Sequence, residues 1–112
     1  MTTKPEQKHG DRACDGALVR AFSLIGKRWN GVILGTLMDG PASFSELRRG
    51  VAGISDSVLS ERLSELSGAG LVLRTVSAGP PVTVGYALTA SGEALVPTLN
   101  QLIRWSAANL PA

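Results

Sequence analysis

Between residues 43 and 88 the sequence contains two short helix patterns followed at once by two strand patterns, and this order restricts the fold more than any other feature. In the first helix pattern, SFSELRRGV, Ser43 and Glu46 have the spacing of a capping box, in which each side chain accepts a hydrogen bond from a free backbone amide. The buried stripe predicted for this helix consists of Phe44, Leu47 and Val51. A glycine-containing turn at residues 51–54 then leads into a second helix.

The second helix is predicted at residues 55–67, in the stretch SDSVLSERLSELS. Ser55 stands where it can cap this helix, and Asp56 lies in the first turn, where a negative charge is favourable. Because an α-helix turns by about 100° per residue, one side of this helix is apolar and is predicted to face the core. The residues of that side are Leu59, Leu63 and Leu66, and those of the other side are Ser57, Ser60, Glu61 and Ser64.

Two strand patterns, LVLRTV at residues 71–76 and VTVGYAL at residues 82–88, alternate β-branched residues around the turn cluster SAGPP. They predict a β-hairpin, a wing at about residues 71–88. Two helices joined by a tight turn and followed by a hairpin form a winged helix-turn-helix. In that arrangement the second helix enters the DNA major groove and the hairpin lies against the backbone.

Three further helices are predicted outside this unit. The first stops at Gly26 and carries Leu18, Phe22 and Ile25 at helical spacing. The second runs from about Arg28 to Met38 and ends before Gly40-Pro41, because proline cannot continue a helix. Its predicted apolar stripe contains Trp29, Val32, Ile33 and Leu37.

The last helix is predicted to begin at Thr89 and to bend at Pro97, since proline removes an internal hydrogen bond. Its apolar face carries Leu95, Leu99, Leu102 and Ile103, with Trp105 near the edge. The predicted fold class is therefore mainly α with a small β-hairpin, a winged helix-turn-helix with additional N- and C-terminal helices.

The serine-rich side of the second helix has two interpretations. Short hydroxyl side chains let a helix approach another surface closely while they donate and accept hydrogen bonds, as contacts to base edges and phosphates require. Serines also commonly face water without any further role. The hairpin directly after this helix favours DNA reading, with Ser55, Ser57, Ser60, Glu61 and Ser64 as the candidate reading residues.

Length and composition predict one globular domain of 112 residues with 44% apolar and 18% charged residues. Residues 1–13 have no apolar run, and we expect a flexible, mildly basic tail there rather than a signal peptide or membrane span, with the domain at residues 14–112. The formal net charge of +2 permits a polyanionic partner without requiring one. The single cysteine excludes an intrachain disulfide and favours a reducing compartment, hence the cytoplasm.

The sequence resembles the HxlR-type branch of the MarR-like winged-helix transcriptional regulators over most of residues 14–105. The residues that carry this resemblance are Cys14, Leu24 to Trp29, Ile33-Leu34, Leu37, Gly40-Pro41, Phe44 to Arg49, Gly53 to Ser55, Val58 to Leu63, Leu66, Gly70 to Val72, Pro80-Pro81, Tyr86, Leu88-Thr89 and Gly92. The resemblance implies a bacterial homodimer that binds double-stranded operator DNA. It also implies that the first and last helices form the dimer interface. A dimer predicts an inverted-repeat operator with half-sites about one helical turn apart.

Candidate phosphate contacts come from the basic residues around this unit. They are Arg48, Arg49, Arg62, Lys27 and Arg28, together with Thr83 near the wing tip. For Arg62 a helix-surface pair with Glu65 is an equally good interpretation. The chain departs from the family pattern at three positions: Ser57 replaces a basic residue, and the wing lacks both an arginine near Thr83 and an acid at Gly85. From residue 27 to residue 74 there are six basic and five acidic residues, so the DNA face is less basic than the resemblance implies.

Four apolar residues of the terminal helices are candidate dimer anchors: Phe22, Leu99, Ile103 and Trp105. Each of them could instead complete the core of a single chain.

Cys14 stands where oxidant-sensing members of the family carry their reactive cysteine. A thiol before a helix N-terminus and near Arg12 favours the thiolate, whereas the negative charge of Asp15 opposes it. Redox sensing and an inert thiol are therefore both open, as is a small-molecule effector. His9 receives no role, and the sequence predicts no metal site or cofactor.

No enzyme is predicted, since the sequence has neither a phosphate-cradling glycine loop nor a nucleophile–base pair. The alternative to a DNA-binding regulator is a winged helix used for protein contacts, which the uncharged wing, AGPPVTVGY, keeps open.

Overall fold

The computed structural model describes residues 12–112, so nearly all of the predicted tail lies outside the described residues. Its elements are α1 (Gly16–Ile25), α2 (Asn30–Leu37), β1 (Ala42–Ser43), α3 (Phe44–Gly50), α4 (Asp56–Gly68), β2 (Val72–Ser77), β3 (Thr83–Leu88) and α5 (Ala90–Asn109). The chain is mainly helical with a small antiparallel sheet, as the sequence predicts. The helix-turn-helix comprises α3 and α4, and β2 and β3 form the wing.

Side-chain caps fix where the helices begin. Ser43 and Glu46 form the predicted capping box at α3, with hydrogen bonds of 3.1 Å from Glu46 N to Ser43 Oγ and 2.8 Å from Ser43 N to Glu46 Oε1. Ser55 caps α4 by accepting from Val58 N, and Thr89 caps α5 by accepting from Gly92 N. The caps predicted at Ser43 and Ser55 are confirmed, and Thr89, predicted only as the start of the last helix, is its N-cap. Each cap satisfies an amide that the helix itself leaves free.

The helix α2, predicted from about Arg28 to Met38, differs from the prediction in its first residue and in its buried face. Trp29 has a left-handed backbone (φ 84°), so α2 begins at Asn30 rather than at residue 28. Its buried residues are Asn30, Ile33, Leu34 and Leu37. Val32, predicted to be on the buried stripe, is instead exposed. The stripe was misassigned because the first buried residue, Asn30, is polar, and a search for apolar residues at helical spacing does not include it.

The sheet has three strands in the order β1-β3-β2, where only two were predicted. The hairpin register runs from Val72 opposite Leu88 to Ser77 opposite Thr83. On the other side of β3, Ala42 pairs with Tyr86 and Ser43 with Gly85. A strand of two residues has no alternation to detect, so β1 could not be predicted from the pattern of residues. Its pairing ties the start of α3 to the wing.

The core lies between α2, α3, α4 and the sheet. Its buried apolar residues are Ile33, Leu34, Leu37, Leu47, Val51, Ile54, Leu59, Leu63, Leu66, Val72, Tyr86 and Leu99. By contrast, α1 has no buried residue, and α5 buries only Gly92 and Leu99. At Gly92 the start of α5 approaches Leu71, the residue before β2, so closely that a Cβ atom would collide with the carbonyl oxygen of Leu71. The helix runs without interruption through Pro97.

Candidate nucleic-acid interface

The helix α4 presents its serine side outward, as the sequence predicts. Leu59, Leu63 and Leu66 are at most 1% exposed. Ser57, Ser60, Glu61 and Ser64 are exposed, and no other described part of the chain covers them. Ser55 is exposed too, but its hydroxyl is already engaged in the helix cap and lies 3.4 Å from Ser57 Oγ.

A cleft of about 570 Å³ lies between α4 and the inner face of the wing. Successive turns of α4 contribute Ser60, Ser64 and Ser67 to one wall. The strands contribute Arg74 and Tyr86, which are cross-strand partners. The remaining lining residues are Phe44, Leu63 and Val84. The exposed side of α4 and this cleft together form a concave surface that can bind the edge of an elongated ligand, and Arg74 is the one charged residue in the lining of the cleft.

Several of the predicted phosphate-binding cations are held by partners within the chain. Arg62 is only 18% exposed, and its guanidinium contacts Glu61 at 3.5 Å and Glu65 at 3.3 Å, which is the arrangement of the alternative interpretation. Arg48 Nε lies 3.1 Å from Asp56 Oδ1. The guanidinium of Arg28 lies 4.5 Å from the ring centre of Trp29.

Glu65 is the centre of a polar network behind the reading side of α4. Lys27 Nζ donates to its Oε2 at 2.5 Å, and Asn30 Nδ2 donates to its Oε1 at 3.2 Å. The lysine and then the asparagine hold the pKa of Glu65 below its ordinary value of 4.5, because both stabilise the carboxylate. Asn30, which is fully buried, also donates to the carbonyl oxygen of Leu24 at the end of α1. The network therefore joins α1, α2 and α4.

Arg49 and Thr83 remain exposed, and Arg49 takes part in none of the ion pairs found among residues 12–112. Thr83 lies opposite Ser77 at the distal end of the hairpin. The hairpin tip between Ser77 and Thr83 contains no charged side chain.

The predicted dimer anchors divide into two groups. Phe22, Ile103 and Trp105 are 59%, 54% and 53% exposed, respectively. Leu99 is 7% exposed and belongs to the core of its own chain, which matches the alternative assignment. The exposed three lie on α1 and α5, next to further exposed apolar residues: Leu18, Val19, Val32 and Leu102.

Cys14 is exposed, two residues before α1 begins. Between them, Asp15 is the N-cap and accepts hydrogen bonds from the amides of Ala17 and Leu18 at 2.8 and 3.2 Å. His9 lies outside the described residues. Among residues 12–112 no cluster of three or more His, Cys, Asp or Glu could hold a metal ion. Within the same range no helix is long and apolar enough to span a bilayer.

The sequence reasoning missed three residues of this region: Asn30, Glu65 as a network centre, and Arg74. A polar residue at the helical spacing of Ile33, Leu34 and Leu37 was the available sign for Asn30. Glu65 was considered only as a partner of Arg62. For Arg74 the strand alternation, with Val72 and Val76 on the same face, already places it on the inner side of the wing.

Solved structures of similar fold identify the class of protein. A MarR-family regulator from Porphyromonas gingivalis superposes with a TM-score of 0.82 at 25% identity, over 88% of this chain and 99% of that chain. The redox regulator HypR in its oxidised form gives a TM-score of 0.80 at 31% identity, over 86% and 99% of the two chains. The chain is a winged-helix transcriptional regulator of MarR-like type.

A family model described as HxlR-like helix-turn-helix matches residues 24–112. The transcriptional regulator YodB of Bacillus subtilis is 45% identical over 86 residues, which span 77% of each chain. The reduced form of YodB superposes with a TM-score of 0.77 at 40% identity, over 88% of this chain and 96% of that one. Quinone-bound YodB gives 0.73 at 39%, over 85% and 99%. The chain belongs to the HxlR-like helix-turn-helix family.

Proposed function

We propose that this protein is a homodimeric regulator that binds an inverted-repeat operator through α4 and responds to an oxidant or electrophile through Cys14. The observation that carries the DNA-binding part is the uncovered serine side of α4 beside the cleft at the wing. Side chains this short allow the helix backbone to lie deep in a major groove, where hydroxyls bond to base edges. The wing then follows the phosphate backbone.

Dimerisation is supported by the apolar surface of the terminal helices. An α-helix stabilises a fold mainly by burying an apolar face, yet α1 buries no residue in its own chain. Phe22 on α1 and Ile103 and Trp105 on α5 are each more than half exposed, and large apolar side chains left exposed on two helices indicate interaction sites. A second copy that covers these helices would fix two α4 helices at the separation of successive major grooves, about 34 Å.

The effector response is supported by the position of Cys14 and by the relatives. YodB has been solved with quinone bound, and HypR in an oxidised form. Cys14 is exposed and lies two residues before α1, one of the two helices proposed to meet the second copy. A covalent change at this thiol would therefore alter the surface next to the dimer interface.

Binding of labelled duplex from the region upstream of its own gene, measured across salt concentrations, tests the DNA-binding part. Ser57→Ala and Ser60→Ala should change the preference between that duplex and a scrambled one, because they remove base-edge contacts. Arg49→Ala should weaken binding to both duplexes alike, because a phosphate contact carries no sequence information. Unchanged preference in both serine variants would refute the assignment of the reading side.

The wing favours a second candidate function, a protein-contact module. Val76 on its inner face and Val82 at its tip are exposed, and the tip has no charge for phosphates. A module of this kind would bind neither duplex with salt dependence. The same titration therefore decides between the two functions.

The effector part is tested by treating the protein with diamide or a quinone before the titration. Loss of duplex binding that is absent in Cys14→Ser supports the proposal. Equal responses of the wild type and the Cys14→Ser variant would overturn it.

A further inference from the structure

The cleft between α4 and the wing contains one charged side chain, that of Arg74. Arg74 is exposed, and none of the ion pairs found among residues 12–112 includes it. The wing beyond it is uncharged from Thr75 to Leu88. The positive charge of the wing is therefore concentrated at the middle of β2, inside the cleft, and not at the hairpin tip.

The surroundings of Arg74 suit a phosphate better than a carboxylate partner of the protein. Ser60 and Ser64 bring exposed hydroxyls to the opposite wall of the cleft, and hydroxyls donate to phosphate oxygens. Ser67 Oγ, on the next turn, is buried without a hydrogen-bond partner among the described residues. No acidic residue lines the cleft to repel an anion or to compete for the guanidinium.

The contrast with the other cations near α4 strengthens this argument. Lys27 and Arg62 are committed to Glu65, and Arg48 is committed to Asp56. A phosphate that approached any of these would have to replace a carboxylate already in contact. Arg74 has no such competitor, and a planar guanidinium can donate two parallel hydrogen bonds to one phosphate.

We propose that Arg74, with the hydroxyl of Ser64, binds a DNA backbone phosphate in the cleft between α4 and the wing. The wing then contacts the phosphate through the middle of β2 and not through its uncharged tip. This inference rests on the proposed DNA binding and adds to it a site that lies at the base of the hairpin.

The test compares Arg74→Gln, Arg74→Lys and the matched control Arg104→Gln, which removes the same charge from the polar face of α5. Affinity for the upstream duplex and for a scrambled duplex is measured by fluorescence anisotropy between about 50 and about 200 mM salt. Arg74→Gln should weaken both duplexes by about a hundredfold at low salt, or about tenfold for each half-site. Its plot of log affinity against log salt should be shallower by about 1.8, because the dimer loses one phosphate contact in each half-site. Over this range the deficit should shrink by roughly twelvefold.

Arg74→Lys keeps the charge and should restore the salt slope, while Arg104→Gln should match the wild type. A scan with single uncharged methylphosphonate linkages locates the phosphate. At one position per half-site the substitution should weaken the wild type but leave Arg74→Gln unaffected. Thermal unfolding of each variant shows whether the fold is intact. If Arg74→Gln is unstable, Arg74→Lys still provides a test, because it keeps the charge but loses the two parallel hydrogen bonds, and it should bind both duplexes more weakly than the wild type at an unchanged salt slope.

The outcomes separate the inference from the function beneath it. Wild-type binding that depends on salt, together with equal slopes for Arg74→Gln and Arg104→Gln, would overturn the phosphate site while leaving the proposed function in place. A wild-type protein that binds no duplex would overturn both.

Discussion

The part of the molecule built from α2, α3, α4 and the sheet buries its apolar residues in a core to which α5 adds only Leu99, whereas most apolar residues of α1 and α5 stay uncovered. In the first half, leucines and isoleucines such as Ile33, Leu47 and Leu63 are at most 1% exposed. In the second half, Phe22 and Trp105 are more than half exposed, although the helices that carry them are regular and capped. Regular secondary structure is thus no sign that an element has found its packing partner.

This difference assigns separate physical roles to apolar residues of similar type. Removing one from the completed half should lower the stability of each chain, because it leaves a cavity. Changing one on the uncovered half should affect association instead. The predictions below test that division, beginning with the largest expected effect.

Leu63→Ala should lower the free energy of unfolding by about 2–5 kcal/mol, because Leu63 is 1% exposed and sits in the core. Urea unfolding followed by circular dichroism measures the loss. Leu73→Ala is the matched control, since Leu73 is 55% exposed on the outer face of β2, and it should change stability by less than about 1 kcal/mol. Similar losses in the two variants would show that burial in the core does not determine how much a leucine contributes to stability.

Ile103→Glu should weaken self-association by about 2–4 kcal/mol, because a charge would be buried against the second copy. Analytical ultracentrifugation over a concentration series measures the dimer constant. Val76→Glu, at a residue 53% exposed on the wing compared with 54% for Ile103, is the control and should leave the dimer intact. A wild-type protein of monomer mass at every concentration would show that the exposed helices need no second copy.

Asn30→Ala should destabilise the chain by about 1–3 kcal/mol, because it removes two hydrogen bonds from a fully buried position. Chemical denaturation measures the change against Asn100→Ala, an exposed position on α5 that should be nearly neutral. Since Asn30 lies where the two halves meet, a neutral Asn30→Ala variant would mean that they are independent in stability.

Acidification should remove a small part of the stability through Glu65. Its pKa is lowered in the folded chain, chiefly by Lys27, so the contribution is complete above the ordinary value of 4.5 and is lost as the pH falls through the lower folded value. Stability measured by denaturant between pH 7 and pH 3 should therefore fall less steeply at acid pH in Glu65→Gln and in Lys27→Gln than in the wild type. Parallel curves for all three proteins would refute the role given to this carboxylate.

Local rules predicted most of the fold. The caps at Ser43 and Ser55 and the leucine side of α4 were predicted from the spacing of the residues, and all are observed. The strand β1 and the left-handed Trp29 were not predicted, because two residues show no period and a positive φ in a tryptophan has no sequence signal. These features depend on contacts between distant parts of the chain.

The candidate site was predicted less completely than the fold. The exposure of Ser57, Ser60 and Ser64 follows from helical periodicity. Which cations are available does not, because it depends on the carboxylates that tertiary packing brings near them. Lys27 and Glu65 are 38 positions apart and yet form an ion pair, while Arg74 has none within the described part of the chain.

One amide group, that of Asn30, touches both the last turn of α1 and the last turn of α4. A hydrogen bond tolerates only a few tenths of an ångström of stretching before it weakens. The end of α1 can therefore move relative to α4 by only a few tenths of an ångström while both hydrogen bonds persist. A larger displacement of α1 must either break one of these bonds or move α4 as well.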